Sequence, residues 1–309
     1  MHSGTDHGPM TSLHGLFVPL ITPFTSDGAV AGDALERHAH TVLDAGATGL
    51  VALGTTAEAS ALTVVERARV LDICVRVCAD RDAPLIVGAG GNATAESVDA
   101  ITALPPGVAA VLAVVPYYVR PTEDGVIAHF TRVAAASPVP VLVYDVPYRT
   151  ARTLSGETLV RLADIPNIAG FKHAVGGVTA ATVQLFAEAG SRTTILGGDD
   201  RFASAQLALG AHGAILAAAN VAPAAYADLV TSWLAGDVLR GRALGNRLDA
   251  LSTALFAEPN PAVIKSVLAA RGEIPDPGVR LPLLAATADA TEQALRRYRV
   301  VMSVVEPVG

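Results

Sequence analysis

Ile168-Ala169-Gly170-Phe171-Lys172-His173 reads as a short buried strand that ends abruptly in a lysine. The chain uses lysine sparingly: of its 22 basic residues, 20 are arginine and only Lys172 and Lys265 are lysine. Arginine stays protonated and is a poor nucleophile, whereas a lysine desolvated at the end of an apolar strand can lose its proton and attack a carbonyl to form a Schiff base. The ordinary reading is a stem laid on apolar surface with its head in water. What surrounds the lysine decides between the two.

Outward from this stretch, apolar runs alternate with segments of helical spacing. Strands are expected at 16–21, 50–53, 85–87, 110–115, 141–144, 168–171, 194–196 and 214–216, with helices at 33–44, 64–79, 94–104, 123–136, 155–163, 178–189 and 201–209. Eight short apolar strands separated by helices fit a parallel sheet covered on its outside and closed into an α/β (β/α)8 TIM barrel. After Asn220 the spacing is helical only, at 223–234, 239–256, 261–270 and 284–300, which predicts a C-terminal helical extension. The expected organisation is a flexible leader over 1–14, a catalytic barrel over 15–220 and the extension over 221–309.

Composition narrows the classes of function. The chain has 309 residues and a formal charge of −7, which argues against nucleic acid or an anionic membrane as partner. Mean hydropathy is high, at +0.44. The longest uncharged run, 202–227, is broken by Gln206, Gly210, His212, Gly213, Asn220 and Pro223, so it reads as helix, turn and strand rather than a membrane span. With no apolar core of a signal peptide near Met1, the expected location is cytoplasmic. Cys74 and Cys78 lie four apart on one helix face, without a second pair, and read as core thiols.

A barrel of this kind carries its active site at the C-terminal ends of the strands. Residues with usable chemistry fall there: Thr55 and Thr56 after the second strand, Tyr117 and Tyr118 after the fourth, Tyr144 ending the fifth with Arg149 beyond it, Lys172 ending the sixth, and Gly197-Gly198-Asp199-Asp200 after the seventh. Each has an ordinary account of its own, as turn, cap, aromatic packing or surface charge. Their common position at one mouth is what points to a site. Gly88-Ala89-Gly90-Gly91-Asn92-Ala93 matches a dinucleotide fingerprint, but the acidic residue expected after the next strand is missing, so these glycines read as a close-packed loop. Asp199-Asp200 is a weak metal motif, with no supporting His or carboxylate cluster at the neighbouring strand ends.

Taken together, Gly54-Thr55-Thr56-Ala57-Glu58, Pro116-Tyr117-Tyr118-Val119-Arg120-Pro121, Tyr144-Asp145-Val146-Pro147-Tyr148-Arg149-Thr150, Gly170-Phe171-Lys172, Gly198-Asp199-Asp200 and Glu258-Pro259-Asn260-Pro261 resemble the dihydrodipicolinate synthase and N-acetylneuraminate lyase family of class I aldolases. The resemblance runs from about Gly15 to Leu283. It implies a lyase without metal or other cofactor, in which Lys172 forms a covalent imine with pyruvate and Tyr144 shuttles protons. It also implies that Thr56 links Tyr144 to Tyr118 of a neighbouring subunit, hence a homotetramer or homodimer. Thr55 and Thr56 would hold the pyruvate carboxylate, Gly198 and Ile215 would line the imine pocket, and Arg149 would grip the carboxylate of the aldehyde.

Thr55-Thr56 and Arg149 resemble the synthase branch, which condenses pyruvate with aspartate semialdehyde in lysine and diaminopimelate biosynthesis. The alternatives are a related aldolase for a 2-keto-3-deoxy sugar acid, N-acetylneuraminate or 4-hydroxy-2-oxoglutarate, and a non-catalytic keto-acid-binding barrel. Three residues depart from the family pattern: Ala57 stands for a glycine, Asp145 for a common asparagine and His173 for an acidic residue. The family's lysine-binding site is matched by Asn92, Glu96 and Tyr117 but not by Val64 and Arg67, so weak inhibition by lysine, or insensitivity to it, is expected.

Overall fold

The structure, a computed structural model, describes residues 13–303. The leader expected over 1–14 lies outside the described residues as far as Ser12, while Leu13 is buried in the floor of the barrel among Phe17, Ile86 and Leu142. Eight parallel strands close the barrel in chain order: β1 Gly15–Pro19, β2 Gly49–Ala52, β3 Leu85–Gly88, β4 Ala110–Val114, β5 Val141–Asp145, β6 Ile168–His173, β7 Thr194–Gly197 and β8 Gly213–Ile215. Every expected strand is present, with ends shifted by one or two residues. The shift matters most in β6, which runs past Phe171 and takes Lys172 and His173 into the sheet.

Outside the barrel lie α1 Gly32–Asp44, α2 Val64–Asp80, α3 Thr94–Thr102, α4 Glu123–Ala136, α5 Pro147–Thr150, α6 Gly156–Ala163, α7 Ala180–Ala189, α8 Ala203–Ala208 and α9 Pro223–Leu234. The chain then continues as α10 Val238–Leu255, α11 Ala262–Ala270 and α12 Ala288–Met302. Polar side chains fix several starts. Thr63 and Glu66 form a capping box on α2, Thr179 and Thr182 form one on α7, and Thr122, Ser155, Asp237 and Thr287 cap α4, α6, α10 and α12. The short helix α5 was not expected; four residues are too few to show a period.

Strand alternation sorts the core into two faces. Phe17, Val51, Ile86, Leu142, Leu196 and Ile215 fill the barrel interior, while Val111, Val143, Phe171 and Ile195 meet α4, α6 and α7 on the outside. The β5–β6 pair contains one irregularity. Ile168 faces Val141 and Gly170 faces Leu142, so Ala169 is an extra residue on β6. In unbroken register Phe171 would sit beside Tyr144; with Ala169 left out of the pairing the partner of Tyr144 is Lys172, on the interior face. A row of partners, Val114, Tyr144, Lys172 and Leu196, then crosses four strands near the mouth.

Lys265 is the second lysine, fully buried on α11, where its Nζ donates to Glu58 Oε1 at 2.8 Å and lies 3.9 Å from the centre of the Phe24 ring. The other carboxylate oxygen of Glu58 accepts from the backbone N–H of Arg280 at 2.7 Å, and the Arg280 guanidinium also lies over Phe24, 4.5 Å from the ring centre. Burial pulls the ammonium of Lys265 below its ordinary range. Removing one partner of such a pair strands the other charge. Lys265→Met is therefore expected to lower the unfolding free energy by about 3–5 kcal/mol, read from the denaturant midpoint; a loss below about 1 kcal/mol, the worth of an exposed pair, would show that water already screens it.

Candidate active site

The mouth of the barrel is assembled from five strand ends and one segment beyond the barrel. After β2, Thr55, Thr56 and Ala57 form a tight helical turn, bracketed by Leu53 and Glu58, both in the left-handed region at φ 54°. That conformation costs a residue with a side chain about 1–2 kcal/mol, and for Glu58 the buried contacts with Lys265 and Arg280 hold it. Thr56 is buried, and its Oγ1 accepts from Asn260 Nδ2 at 3.0 Å. Asn260 lies in the quoted Glu258-Pro259-Asn260-Pro261 motif, yet no role was drawn for it from the sequence.

Lys172 is 7% exposed, and its Nζ sits 4.4 Å from the centre of the Tyr144 ring. Its stem needs a glycine opposite: a Cβ on Gly198 would come within 2.8 Å of Lys172 Cγ and 2.9 Å of Ala174 Cβ. Arg149 projects from α5 and is exposed, with its guanidinium 5.7 Å from the Tyr148 ring centre and, among the described residues, no hydrogen bond or ion pair from its side chain. A cavity of about 490 Å³ joins these groups. It is lined by Thr55, Thr56, Tyr144, Arg149, Lys172, Gly198 and Ile215, seven of the eight residues expected at the site, together with Asp199, Asp200 and Asn260. The eighth, Tyr118, lies outside it: the side chain is 87% exposed and the backbone takes a φ of 67°.

The two adjacent aspartates turn to different partners. Asp199 Oδ2 accepts from the Gly176 N–H at 2.6 Å rather than capping the following helix, which begins at Ala203 with no side-chain cap. Asp200 is buried, and its Oδ1 accepts from the Ala218 N–H at 2.7 Å. Among the described residues no three His, Cys, Asp or Glu side chains converge as a metal site would require. Gly88 packs as the sequence suggested, since a Cβ there would meet Leu53 O at 2.4 Å, and Gly91 N–H donates to Ser97 Oγ at 3.0 Å. A larger cavity of about 860 Å³ borders this loop; it shares Thr55, Tyr144 and Arg149 with the smaller one and carries Val64, Arg67, Glu96 and Tyr117 on its wall. Both cysteines are buried, and burial pushes the Cys78 thiol up to about 12.

Three comparisons bear on this arrangement. The profile of the Dihydrodipicolinate synthetase family matches residues 12–298. The chain is similar to proteins named 4-hydroxy-tetrahydrodipicolinate synthase from Neisseria gonorrhoeae, 39% identical over 89% of this chain and 94% of that one, and from Acidiphilium cryptum, 41% identical over 92% and 96%. Among solved structures it resembles the chloride-inhibited dihydrodipicolinate synthase of Acinetobacter baumannii in complex with pyruvate, with a TM-score of 0.89 and 34% identity over 94% of this chain and 99% of that one.

Burial raises the Asp200 carboxyl from 3.8 to about 7, against the opposing pull of the Ala218 N–H and of the Lys172 charge. In the unfolded chain the same carboxyl loses its proton near pH 4, so between that value and about 7 the fold binds more protons than the unfolded chain. Stability is expected to fall as pH rises through this window. Asp200→Asn keeps the size and removes the titration, so the slope should flatten. Unfolding midpoints across the window check this; an unchanged slope would assign the dependence to other groups.

Proposed function

The chain belongs to the dihydrodipicolinate synthetase family, and we propose that it condenses pyruvate with aspartate semialdehyde as a 4-hydroxy-tetrahydrodipicolinate synthase, with Lys172 as its nucleophile. It is a lyase of the class I aldolase type, acting on small molecules in lysine and diaminopimelate biosynthesis, and the family works without metal or other cofactor. Among the described residues no helix is long and apolar enough to cross a membrane; a cytoplasmic place of action accords with a biosynthetic enzyme.

The observation that supports the mechanism is the placement of a nearly buried lysine amine against the Tyr144 ring, in a cavity with a polar wall at Thr55 and Thr56. The amine of Lys172 attacks the keto carbon of pyruvate, water leaves, and a cationic imine remains. That cation draws electrons from the adjacent methyl group, which gives up a proton; the resulting enamine carbon attacks the aldehyde, and the new alkoxide takes a proton. Tyr144, whose ring packs against the Lys172 amine, carries these protons. Thr56 takes the Asn260 N–H on one lone pair and still has its own proton to donate, so it can extend a relay from Tyr144. Thr55 and Thr56 hold the carboxylate of pyruvate, while Gly198 and Ile215 line the imine. The unpaired fork of Arg149 at the rim suits the carboxylate of the second substrate.

Tyr118 takes part through assembly. Tyr118, Val119, Val64, Val65 and Tyr148 are all exposed, and large apolar side chains of this kind are what subunit association covers. A homodimer, or a homotetramer built from it, covers that surface and brings Tyr118 to the neighbouring subunit's site.

Borohydride added with pyruvate is expected to fix one reduced pyruvyl group per chain on the peptide containing Lys172. A label on Lys265, or activity abolished by EDTA, would overturn the Schiff-base reading. Arg149→Lys keeps a charge but loses the fork, so it should weaken use of aspartate semialdehyde by about 1.5–3 kcal/mol and leave pyruvate trapping intact. Equal damage to both steps, measured by kcat/KM and by trapping, would make Arg149 structural.

A further inference from the structure

Asp145 and His173, two of the residues that depart from the family pattern, are direct partners across β5 and β6, one step beyond the Tyr144–Lys172 pair. Alternation turns them to the outer face of the barrel. Both are 1% exposed, and His173 Nδ1 lies 3.3 Å from Asp145 Oδ2. The other ring nitrogen, Nε2, is 3.0 Å from the Thr182 hydroxyl at the start of α7. Among the described residues neither Asp145 Oδ1 nor His173 Nδ1 has a hydrogen-bond partner, so the close approach of the ring to Asp145 Oδ2 is the contact that compensates this carboxylate. The next row inward on the same face is Val143, Phe171 and Ile195, all apolar. Packing alone therefore serves this face one step away, and a buried polar pair is costly unless its members hold each other.

We propose that the Asp145–His173–Thr182 chain is a positioning unit for the Schiff-base reaction. It clamps the ends of β5 and β6, just past the extra residue Ala169, and so fixes the spacing between Tyr144 on one strand and Lys172 on the other. The clamp touches neither substrate nor reacting atoms; it works through the backbone. The inference rests on the roles given above to Lys172 and Tyr144. Proton transfer is the step most sensitive to their spacing, because a small misplacement of a catalytic group can cost as much as about a hundredfold in rate.

The test uses the full chain and three variants: Asp145→Asn, His173→Gln and the double variant Asp145→Asn/His173→Glu. The double variant exchanges donor and acceptor, since the amide introduced on β5 can donate to the carboxylate introduced on β6 while Thr182 donates to that carboxylate's other oxygen. Asp145→Asn should still be trapped by borohydride at one pyruvyl group per chain, with the KM for pyruvate within about twofold, while kcat and the exchange of pyruvate methyl hydrogens with D2O fall at least about tenfold. The double variant should recover most of that loss. If Asp145→Asn does not fold, His173→Gln makes the same comparison with the double variant. The clamp is overturned if the single variants keep kcat within about twofold whatever their melting temperature, or if the double variant is no better than either. Failure of the unaltered chain to be trapped would instead remove the reading of Lys172 on which the clamp rests.

Discussion

The buried ion pair between Glu58 and Lys265 is the constraint on which the geometry of the mouth depends. Taking two charges out of water costs several kcal/mol each, and the arrangement persists because neither is left with an open side: Lys265 Nζ meets Glu58 Oε1 and the face of Phe24, and Arg280 N–H meets Glu58 Oε2. The gain is positional. The pair ties the turn after β2, which carries Thr55 and Thr56, to α11, and Asn260, just before α11, bonds to Thr56. Helices that lie after the barrel in the chain thus set one wall of its cavity.

A second constraint comes from sheet register. In a parallel barrel each strand is buried on both faces, so the apolar runs announce where strands are but not which residue faces in. Ala169 decides that for β6. By standing outside the pairing it lets Lys172 fall beside Tyr144 and leaves Phe171 to the outer core. The close approach of Gly198 then leaves room for the lysine stem. These are backbone effects, and each moves a side chain without changing its identity.

Against this background, the barrel was readable because eight apolar runs separated by helical spacing leave few other closed arrangements, and Lys172 stood out in a chain that otherwise uses arginine. The strand ends were not readable to the residue, since hydrogen-bond register depends on neighbours far along the chain. Glu58 and Lys265 are 207 residues apart, and Asn260 and Thr56 are 204 apart. Nothing local marks them as partners, though a second lysine in so lysine-poor a sequence was a signal that could have been followed. Asp145 and His173 were visible only as two separate oddities; their pairing appears once β5 and β6 lie side by side. The helix α5, which carries Arg149, is too short for any periodic pattern.

The burial of both lysines has an effect on selectivity that reaches beyond the cavity. Carbonyl compounds condense indiscriminately with accessible primary amines, and a protein that handles a keto acid and an aldehyde is bathed in such reagents. Here Lys172 is 7% exposed and Lys265 is fully buried, so the outer surface offers no lysine side chain to be adducted. Its positive charges are guanidinium groups, which remain protonated and make poor nucleophiles. Apart from the chain's α-amine, the exterior is in this sense chemically silent toward the metabolites the interior is built to engage, and of the two lysine amines only the one that lines the cavity at the barrel mouth lies on a path they can enter.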